Sequence, residues 1–335
     1  MQLPAAAQLV NLTLESGWVR AHHPPPHRCG ANRRSRCNER CFDQRLATPE
    51  LCSKPICCGC AYCQHATGRW TSPSGVELET LTSATDPPFV WAYNPLDQDM
   101  LYARHRRLVE PGLSSLWVNV TAPCCQSGGR VVDVGANFGW YSLLSLSLGC
   151  RVDAFEPVSS YRDVIRLAVH LNPGFAARLR LFANVAFDQP GEYAVVVPRA
   201  GERRPAAPAG APLSLSTHMR TMLGMAAMIG PGGIAAVKDV SKLGAVGTST
   251  YRESAPAVRV DEVVSAGDDD GGSAGVCMIK VDVEGLEPQA LRSAYGLLAA
   301  RRVAAVQLEL TRKDRQACAN RRLLRDLWLL GLKAG

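Results

Sequence analysis

Hydrophobic and polar positions alternate along residues 85–197 and 256–330 in two rhythms, one with the period of a strand and one with the period of a helix. The short apolar runs predict strands at residues 130–134, 151–155, 179–185, 193–197, 276–283 and 303–310. The helical patterns lie between and after them, at residues 140–148, 161–171, 287–300 and 313–330. Because strands that alternate with helices form parallel sheets covered on both faces, the pattern predicts an α/β fold.

A segment rich in Ala, Gly, Pro, Ser and Met interrupts this rhythm at residues 198–255. Long stretches of biased composition within a domain usually lie at the surface. We therefore expect one α/β domain over residues 85–335, divided by a low-complexity insertion at residues 198–255.

Residues 1–80 form a different region, because eight of the thirteen cysteines lie within residues 29–63. So short a stretch cannot build a hydrophobic core of its own, and it needs disulfides or a bound metal to hold it together. The spacing of Cys60 and Cys63 suits zinc, but no second, cleanly separated pair completes a standard site. Disulfides are the favoured interpretation of this cysteine-rich region, and zinc is the alternative.

Composition narrows the range of partners. Hydrophobic residues make up 47% of the 335 residues, which is enough for a sizeable core. The net charge of +7 is scattered apart from an arginine cluster at residues 33–40, and no aromatic-interleaved groove accompanies that cluster, so we expect no nucleic-acid partner. No segment has the roughly 18 uninterrupted apolar residues of a membrane span, so no transmembrane segment is predicted.

The signals for cellular compartment point in two directions. The N-terminal residues lack the basic start and the sustained apolar core of a signal peptide. Two N-glycosylation sequons, at Asn11 and Asn119, and the clustered cysteines are compatible with a secretory lumen. The sequence therefore leaves the compartment open.

A D-x-G-x-N-x-G loop, formed by Asp133, Gly135, Asn137 and Gly139, joins a predicted strand to the helix that follows it. Glycine permits a tight turn and a close approach of ligand to backbone, and the free N–H groups of the helix would point at that ligand. Glu156 follows Gly135 by 21 positions, at the end of the next predicted strand, where a carboxylate usually accepts hydrogen bonds from ribose hydroxyls. The glycine spacing argues against a dinucleotide, because no third glycine stands where a pyrophosphate needs one.

A second group of charged residues ends the predicted strand at residues 276–283. Lys280, Asp282 and Glu284 alternate with apolar residues, so they would share one face of the strand and its exit. Three charges on a buried strand are costly unless they meet each other or a ligand. A ligand site is the favoured interpretation of Asp282 and Glu284, whereas Glu287 is better explained as an acid that caps the next helix.

These motifs together resemble the FkbM family of methyltransferases. The resemblance covers roughly residues 95–330, apart from the insertion, and its most diagnostic segment is IKVDVEGLEPQALRSA at residues 279–294. The other segments, in the family's order, are DVGANFGWY (133–141), FEP (155–157) and NVAF (184–187). The resemblance implies a Rossmann-like class I sheet and S-adenosylmethionine as methyl donor. It also implies O-methylation of a hydroxyl on a sugar or on another small-molecule or glycan acceptor.

The resemblance also assigns residues to the cofactor. Carried over position by position, it implies that the four residues of the D-x-G-x-N-x-G loop line the methionine and ribose portions. Glu156 would hold the ribose, and Asn184 and Ala186 would border the adenine.

For the reaction itself, Asp282 is the first candidate for the base or hydrogen-bond acceptor that the attacking hydroxyl needs, Glu284 is the second and Glu309 is the third. Proximity and alignment would contribute more than proton removal, because the sulfonium methyl is already a strong electrophile. A divalent metal on these carboxylates would acidify the hydroxyl, but no residue pattern demands one, and no metal site is predicted.

One alternative comes from a different functional class. The chain ends soon after residue 330, before the antiparallel strand pair in which class I sheets usually end, which favours an inactive methyltransferase-like binding module with a cysteine-rich interaction region. The acids at Asp133, Glu156 and Asp282 favour the enzyme. A nicotinamide-dependent oxidoreductase is a weaker third hypothesis, since the glycine spacing counts against it.

Overall fold

The computed structural model describes residues 2–14, 16–21, 60, 63, 65–96, 103–198, 227–228, 250–265, 275–283, 286–309, 322, 325 and 327. The strands in this part of the chain are β1 (Val19–Ala21), β2 (Ala66–Thr71), β3 (Glu77–Thr82), β4 (Val90–Tyr93), β5 (Arg130–Val134), β6 (Arg151–Phe155), β7 (Leu179–Phe182), β8 (Val185–Ala186), β9 (Glu192–Pro198), β10 (Ala227–Met228), β11 (Thr250–Val258), β12 (Val276–Val281) and β13 (Val306–Leu308). The α-helices are α1 (Pro111–Gln126), α2 (Trp140–Ser147), α3 (Ser159–His170), α4 (Val260–Ser265), α5 (Glu287–Arg292) and α6 (Tyr295–Ala299).

Five strands form a parallel sheet in the order β13-β12-β5-β6-β7. From β5 the chain proceeds outward in both directions, to β6 and β7 on one side and later to β12 and β13 on the other. A parallel sheet with this reversal of strand order and with helices on both faces is a doubly wound, Rossmann-like arrangement. The expected α/β class is confirmed at this level, as a parallel sheet with flanking helices.

Alternate residues of β5 face opposite sides of the sheet and belong to two hydrophobic cores. Val131 packs in the core that contains the buried side chains of α1, α2 and α3, whereas Val132 and Val134 pack in the core of α4, α5 and α6. All three valines are buried, as expected for a strand covered on both faces. The two faces of the sheet are therefore covered by separate cores.

An antiparallel sheet in the order β1-β2-β3-β4 packs against the same core as α1, α2 and α3. β3 and β4 are adjacent strands, although the expected boundary at residues 80–85 begins within β3 and ends before β4. The described residues on both sides of that boundary share one core. Most of the cysteine-rich segment, including residues 29–59, lies outside the described residues, so the division of the chain into domains stays a prediction.

The expected insertion at residues 198–255 is bounded by an antiparallel pair. β9 pairs with β11 over seven residues, from Glu192 opposite Pro256 to Pro198 opposite Thr250. A third sheet, in the order β10-β9-β11-β8, forms around this pair. Residues 199–226 and 229–249 lie outside the described residues.

The N-terminal segment covers the edge of the parallel sheet at β7. Leu9 forms an antiparallel bridge with Phe182, and the Val10 N–H donates to the Leu181 carbonyl over 2.8 Å. The Ala183 N–H in turn donates to the Gln8 carbonyl over 2.8 Å. An edge strand paired in this way no longer exposes its backbone donors and acceptors.

Several predicted elements differ in extent from those observed. The strand expected at residues 179–185 ends at Phe182, and β8 follows in a different sheet. The helix expected at residues 287–300 is divided into α5 and α6, and the strand expected at 303–310 shortens to β13. Most of the helix expected at residues 313–330 lies outside the described residues. Residues 322, 325 and 327 are described, and all three are helical.

Two disulfides fasten the end of α1 to the amino-terminal side of the sheet. Cys124 bonds to Cys277 of β12, and its neighbour Cys125 bonds to Cys150, the residue before β6. These four cysteines lie outside the cluster at residues 29–63, and neither bond was predicted from the sequence. Within that segment, Cys60 and Cys63 are each disulfide-bonded, which supports the disulfide interpretation for these two residues. No helix in the described part of the chain is both long and apolar enough to cross a membrane.

Candidate active site

The charged residues predicted from sequence lie at the carboxyl ends of β5, β6 and β12. The order of the strands across the sheet reverses at β5, with β6 and β7 on one side and β12 and β13 on the other. Open α/β sheets usually bind ligands at such a point, which here lies between β5 and β12. Asp133 is the penultimate residue of β5, Glu156 follows β6, and Asp282 follows β12. The parallel pairing of β12 with β5 places Lys280 opposite Asp133.

The loop after β5 turns by means of left-handed backbone at three positions. Gly135, Asn137 and Gly139 have φ values of 78°, 53° and 84°. The N–H groups of Gly135 and Ala136 donate to the Phe155 carbonyl over 3.0 and 3.1 Å. These two hydrogen bonds attach the loop to the end of β6. A Cβ added at Gly135 would lie 1.9 Å from the Asp282 carbonyl oxygen, so only glycine permits this approach of the two segments.

The Glu156 carboxylate joins this loop to the helix that follows β6. The Asn137 N–H donates to Glu156 Oε2 over 2.7 Å, and the Val158 N–H donates to Oε1 over 2.8 Å. Glu156 is buried. Burial raises its pKa from 4.5 to about 7, although the two backbone donors and the nearby Arg162 guanidinium act in the opposite direction.

Asp133 is buried beneath the loop. Its Oδ2 accepts a hydrogen bond of 2.7 Å from the Ser142 hydroxyl of α2. Its Oδ1 has no hydrogen-bond partner among the described residues and lies 3.6 Å from Lys280 Nζ. Asn137 Oδ1 is a second buried acceptor without a partner in the same part of the chain.

The Lys280 ammonium lies at the centre of the acidic residues. Lys280 Nζ donates to the Gly135 carbonyl over 3.1 Å, and it lies 3.2 Å from Asp282 Oδ2 and 5.7 Å from the centre of the Tyr141 ring. Burial lowers the pKa of this amine, but the charges of Asp282 and Asp133 outweigh burial, so the pKa lies above its ordinary value. Lys280 is therefore a fixed cation between two carboxylates.

Asp282 is the most accessible of these central charges, with 27% of its side chain exposed. Burial raises the pKa of its carboxyl, but the Lys280 charge and hydrogen bonds with Glu309 and Lys280 lower it below the ordinary value. The structure therefore brings the first and third catalytic candidates together, and the second, Glu284, lies outside the described residues.

Tyr141 and Glu110 lie near Lys280 as well, and neither was predicted from the sequence. The Tyr141 hydroxyl donates to Glu110 Oε2 over 2.6 Å, and burial together with the Glu110 charge raises the tyrosine pKa. Glu110 precedes α1 and has a left-handed φ of 41°. Tyr141 stands in the GWY segment after the loop, which was a usable signal, whereas nothing in the local sequence distinguishes Glu110.

Asn184 and Ala186, expected at the adenine, lie at the other side of the site. Asn184 is fully buried, and its side chain accepts the Gln8 N–H over 2.7 Å and donates to the carbonyls of Ala6 and Pro256, each over 2.9 Å. Ala186 is buried in β8 opposite Val258. The Asn184 side chain thus holds the N-terminal segment and β11 together, and a contact of either residue with adenine stays a prediction.

The described residues offer one group of three or more metal-ligating side chains close enough to share an ion, namely Cys125, Cys150 and Cys277. All three are already joined in the two disulfides at the amino-terminal side of the sheet. The group is therefore remote from the carboxylates.

Comparison with known proteins gives one match. No family model matches the chain. No curated protein matches it either. A solved structure, the methyltransferase FkbM from Methylobacillus flagellatus KT, aligns at 15% identity with a TM-score of 0.33, over 67% of this chain and 46% of that one. This chain thus spans less than half of that protein's length. At that level the match carries no argument, and membership of the FkbM family stays a prediction.

Proposed function

We propose that the chain is an S-adenosylmethionine-dependent methyltransferase that methylates a hydroxyl oxygen of a sugar or another small-molecule or glycan acceptor. One observation carries the proposal. Glu156, at the end of β6, accepts the N–H of Asn137 over 2.7 Å, so the acid and the glycine loop, 19 residues apart, form one structure. A glycine loop that is hydrogen-bonded to a carboxylate in this way suits a ligand that has ribose hydroxyls and no pyrophosphate.

The chain's own groups fit such a cofactor. Asp133 Oδ1 and Asn137 Oδ1 are buried acceptors without hydrogen-bond partners among the described residues, and the amine and the ribose hydroxyls of the cofactor are donors. Glu156 would accept from the ribose, and Gly135 and Gly139 would admit the cofactor close to the backbone. When bound, S-adenosylmethionine supplies an electrophilic methyl group.

Asp282 is the group that receives the acceptor hydroxyl. Its lowered pKa keeps it ionised at neutral pH, so it accepts a hydrogen bond from the hydroxyl and fixes the direction of an oxygen lone pair. The same lowered pKa makes it a weak base, so we assign more of its effect to alignment than to proton removal.

Lys280 and Glu309 position Asp282. The ammonium of Lys280 holds one carboxylate oxygen at 3.2 Å, and the Glu309 carboxyl forms a further hydrogen bond. With both neighbours in place, the Asp282 side chain does not rotate freely. Its remaining oxygen lone pairs therefore point in a fixed direction. Glu284 stays the second candidate for this role.

Calorimetric titration with S-adenosylhomocysteine tests the proposal. The folded, disulfide-bonded chain should bind it at one site. The Glu156→Ala variant should lose binding while its far-ultraviolet circular dichroism is retained. Glu262→Ala is the matched control, because this glutamate is 55% exposed on α4 and its removal should leave binding unchanged. Failure of the folded wild-type chain to bind S-adenosylhomocysteine would overturn the proposal.

A further inference from the structure

The two N-glycosylation sequons have opposite structural settings. Asn11 and Thr13 lie in the irregular N-terminal segment, whereas Asn119 and Thr121 lie inside α1. A sequon is an acceptor when it stands in an accessible loop. The two settings therefore predict different fates for the two asparagines.

In the first sequon, Asn11 and Thr13 are hydrogen-bonded to each other in a turn. The Thr13 N–H donates to Asn11 Oδ1 over 3.0 Å, and the Thr13 hydroxyl donates to the same oxygen over 2.8 Å. Both side chains are exposed. Since both hydrogen bonds converge on the amide oxygen, neither uses the amide nitrogen, which is the atom that would be modified.

The residues on either side hold this turn on the surface. Val10, Leu12 and Leu14 are partly buried and pack against the core of α1, α2 and α3. The alternation turns Asn11 and Thr13 outward. Arg166 of α3 adds a hydrogen bond of 2.8 Å from Nη2 to the Thr13 carbonyl. The acceptor is therefore presented by an anchored segment.

The second sequon lacks this arrangement. Asn119 is exposed, but Thr121 is fully buried and its hydroxyl donates to the Trp117 carbonyl over 2.8 Å within the helix. The threonine hydroxyl thus has another partner, and the helical backbone holds it away from the asparagine. Recognition of Asn119 would require unwinding the middle of α1.

The disulfides provide an independent indication of where the chain matures. Bonds such as Cys124–Cys277 and Cys125–Cys150 form and persist in oxidising compartments, which in eukaryotic cells include the lumen in which asparagine-linked glycans are added. Disulfides that join distant parts of the chain and a surface sequon therefore belong to the same environment.

We propose that Asn11 is an N-glycosylation site of the folded chain and that Asn119 is not. The co-reactant is an oligosaccharide linked to a lipid pyrophosphate. The Asn11 amide nitrogen forms a bond to the anomeric carbon of the first sugar, and the bond between that carbon and the pyrophosphate oxygen breaks. The lipid pyrophosphate leaves with the electron pair, and the amide loses one proton to the transferase. The proposal does not depend on the methyltransferase assignment.

The test treats the full, purified, disulfide-bonded chain with a single-subunit oligosaccharyltransferase and a lipid-linked oligosaccharide, followed by mass spectrometry of proteolytic peptides. The native chain should carry the glycan mass on the Asn11 peptide and none on the Asn119 peptide. The reduced, unfolded chain is the positive control and should be modified at both. Absence of the glycan from Asn11 in the native chain overturns the proposal, as does modification of native Asn119.

Two variants test whether modification depends on each sequon while the fold is retained. Thr13→Val keeps the asparagine but removes the hydroxyl, so modification of the Asn11 peptide should be lost in both native and unfolded chains. Asn119→Gln should leave modification of the native chain unchanged. Circular dichroism identical to that of wild type shows that each variant is folded, and a native Thr13→Val chain still modified at Asn11 would contradict the assignment of Asn11 and Thr13 as the acceptor sequon.

Discussion

Gly135 and Asp282 are in direct backbone contact, because a Cβ added to Gly135 would lie only 1.9 Å from the Asp282 carbonyl oxygen. The contact joins the loop that follows β5 to the exit of β12. The Asp282 N–H donates to the Val134 carbonyl over 3.1 Å and holds the two segments at this distance. The D-x-G-x-N-x-G loop and the first catalytic candidate are thus held together by the backbone.

The Gly135→Ala variant should therefore lose stability for two reasons. Its φ of 78° is unfavourable for alanine, and the new methyl group overlaps a backbone oxygen. Together these effects predict a loss of about 2–5 kcal/mol of unfolding free energy, measured by urea denaturation. Gly128→Ala is the matched control, since Gly128 has the same φ of 78° but nothing within 4 Å of its added Cβ. Equal losses in the two variants would contradict the contact.

The buried carboxyl of Glu156 predicts a pH dependence of stability. Its pKa rises from 4.5 to about 7 on folding, so the folded state holds a proton that the unfolded state releases. This contribution to stability is fully present below about pH 4.5 and is lost as pH rises through about 7, with a total of about 3 kcal/mol at 1.36 kcal/mol per pKa unit.

Denaturation of wild type and Glu156→Gln between pH 4.5 and pH 8 measures that difference. The unfolding free energy of wild type, relative to that of the variant, should fall across this interval. The same comparison with the exposed Glu262→Gln should show no such fall. A constant difference between wild type and Glu156→Gln would show that the carboxyl does not titrate in this range.

Lys280→Met should destabilise the chain by about 3–5 kcal/mol, because it leaves Asp133 and Asp282 facing each other without their shared cation. Arg292→Met is the control. Arg292 also contacts an aspartate, Asp188, but its side chain is 54% exposed, and the expected loss is below about 1 kcal/mol. Chemical denaturation at pH 7 compares the two. Similar losses would mean that Lys280 is not the centre of a buried charge network.

Digestion without reduction should yield one cross-linked species of three peptides. Cys124 and Cys125 are adjacent, so a single peptide carries both and is joined to the peptides of Cys277 and Cys150. Reduction should release all three, which mass spectrometry detects directly. Recovery of these four cysteines as free thiols in protein purified without reductant would contradict the two bonds.

The central strands could be predicted because each is a short, mostly apolar run, and in this fold such strands are buried on both faces. β5 begins and ends as expected, and the acid after β6 lies where its spacing from the loop indicates. This part of the site follows from local sequence because each residue stands at a strand end, and strand ends of one direction meet at the same edge of the sheet.

The antiparallel sheet was not predictable in the same way. Glu79 of β3 interrupts the apolar pattern, yet it is buried and accepts a hydrogen bond of 2.5 Å from the Tyr93 hydroxyl of β4. A pattern that counts charged residues as exposed cannot recognise such a strand. The pairing of Tyr141 with Glu110, 31 residues apart, depends likewise on how α1 and α2 pack.

The disulfide between Cys124 and Cys277 encloses the whole insertion in a covalent ring, since the two cysteines are 153 residues apart. A single proteolytic cut between residues 199 and 249 would divide the polypeptide but would not separate its halves. The nicked protein would keep its full mass in a non-reducing gel and would show two fragments only after reduction. Both halves supply residues to the candidate active site, so the ring keeps that site in one molecule after the chain is cut.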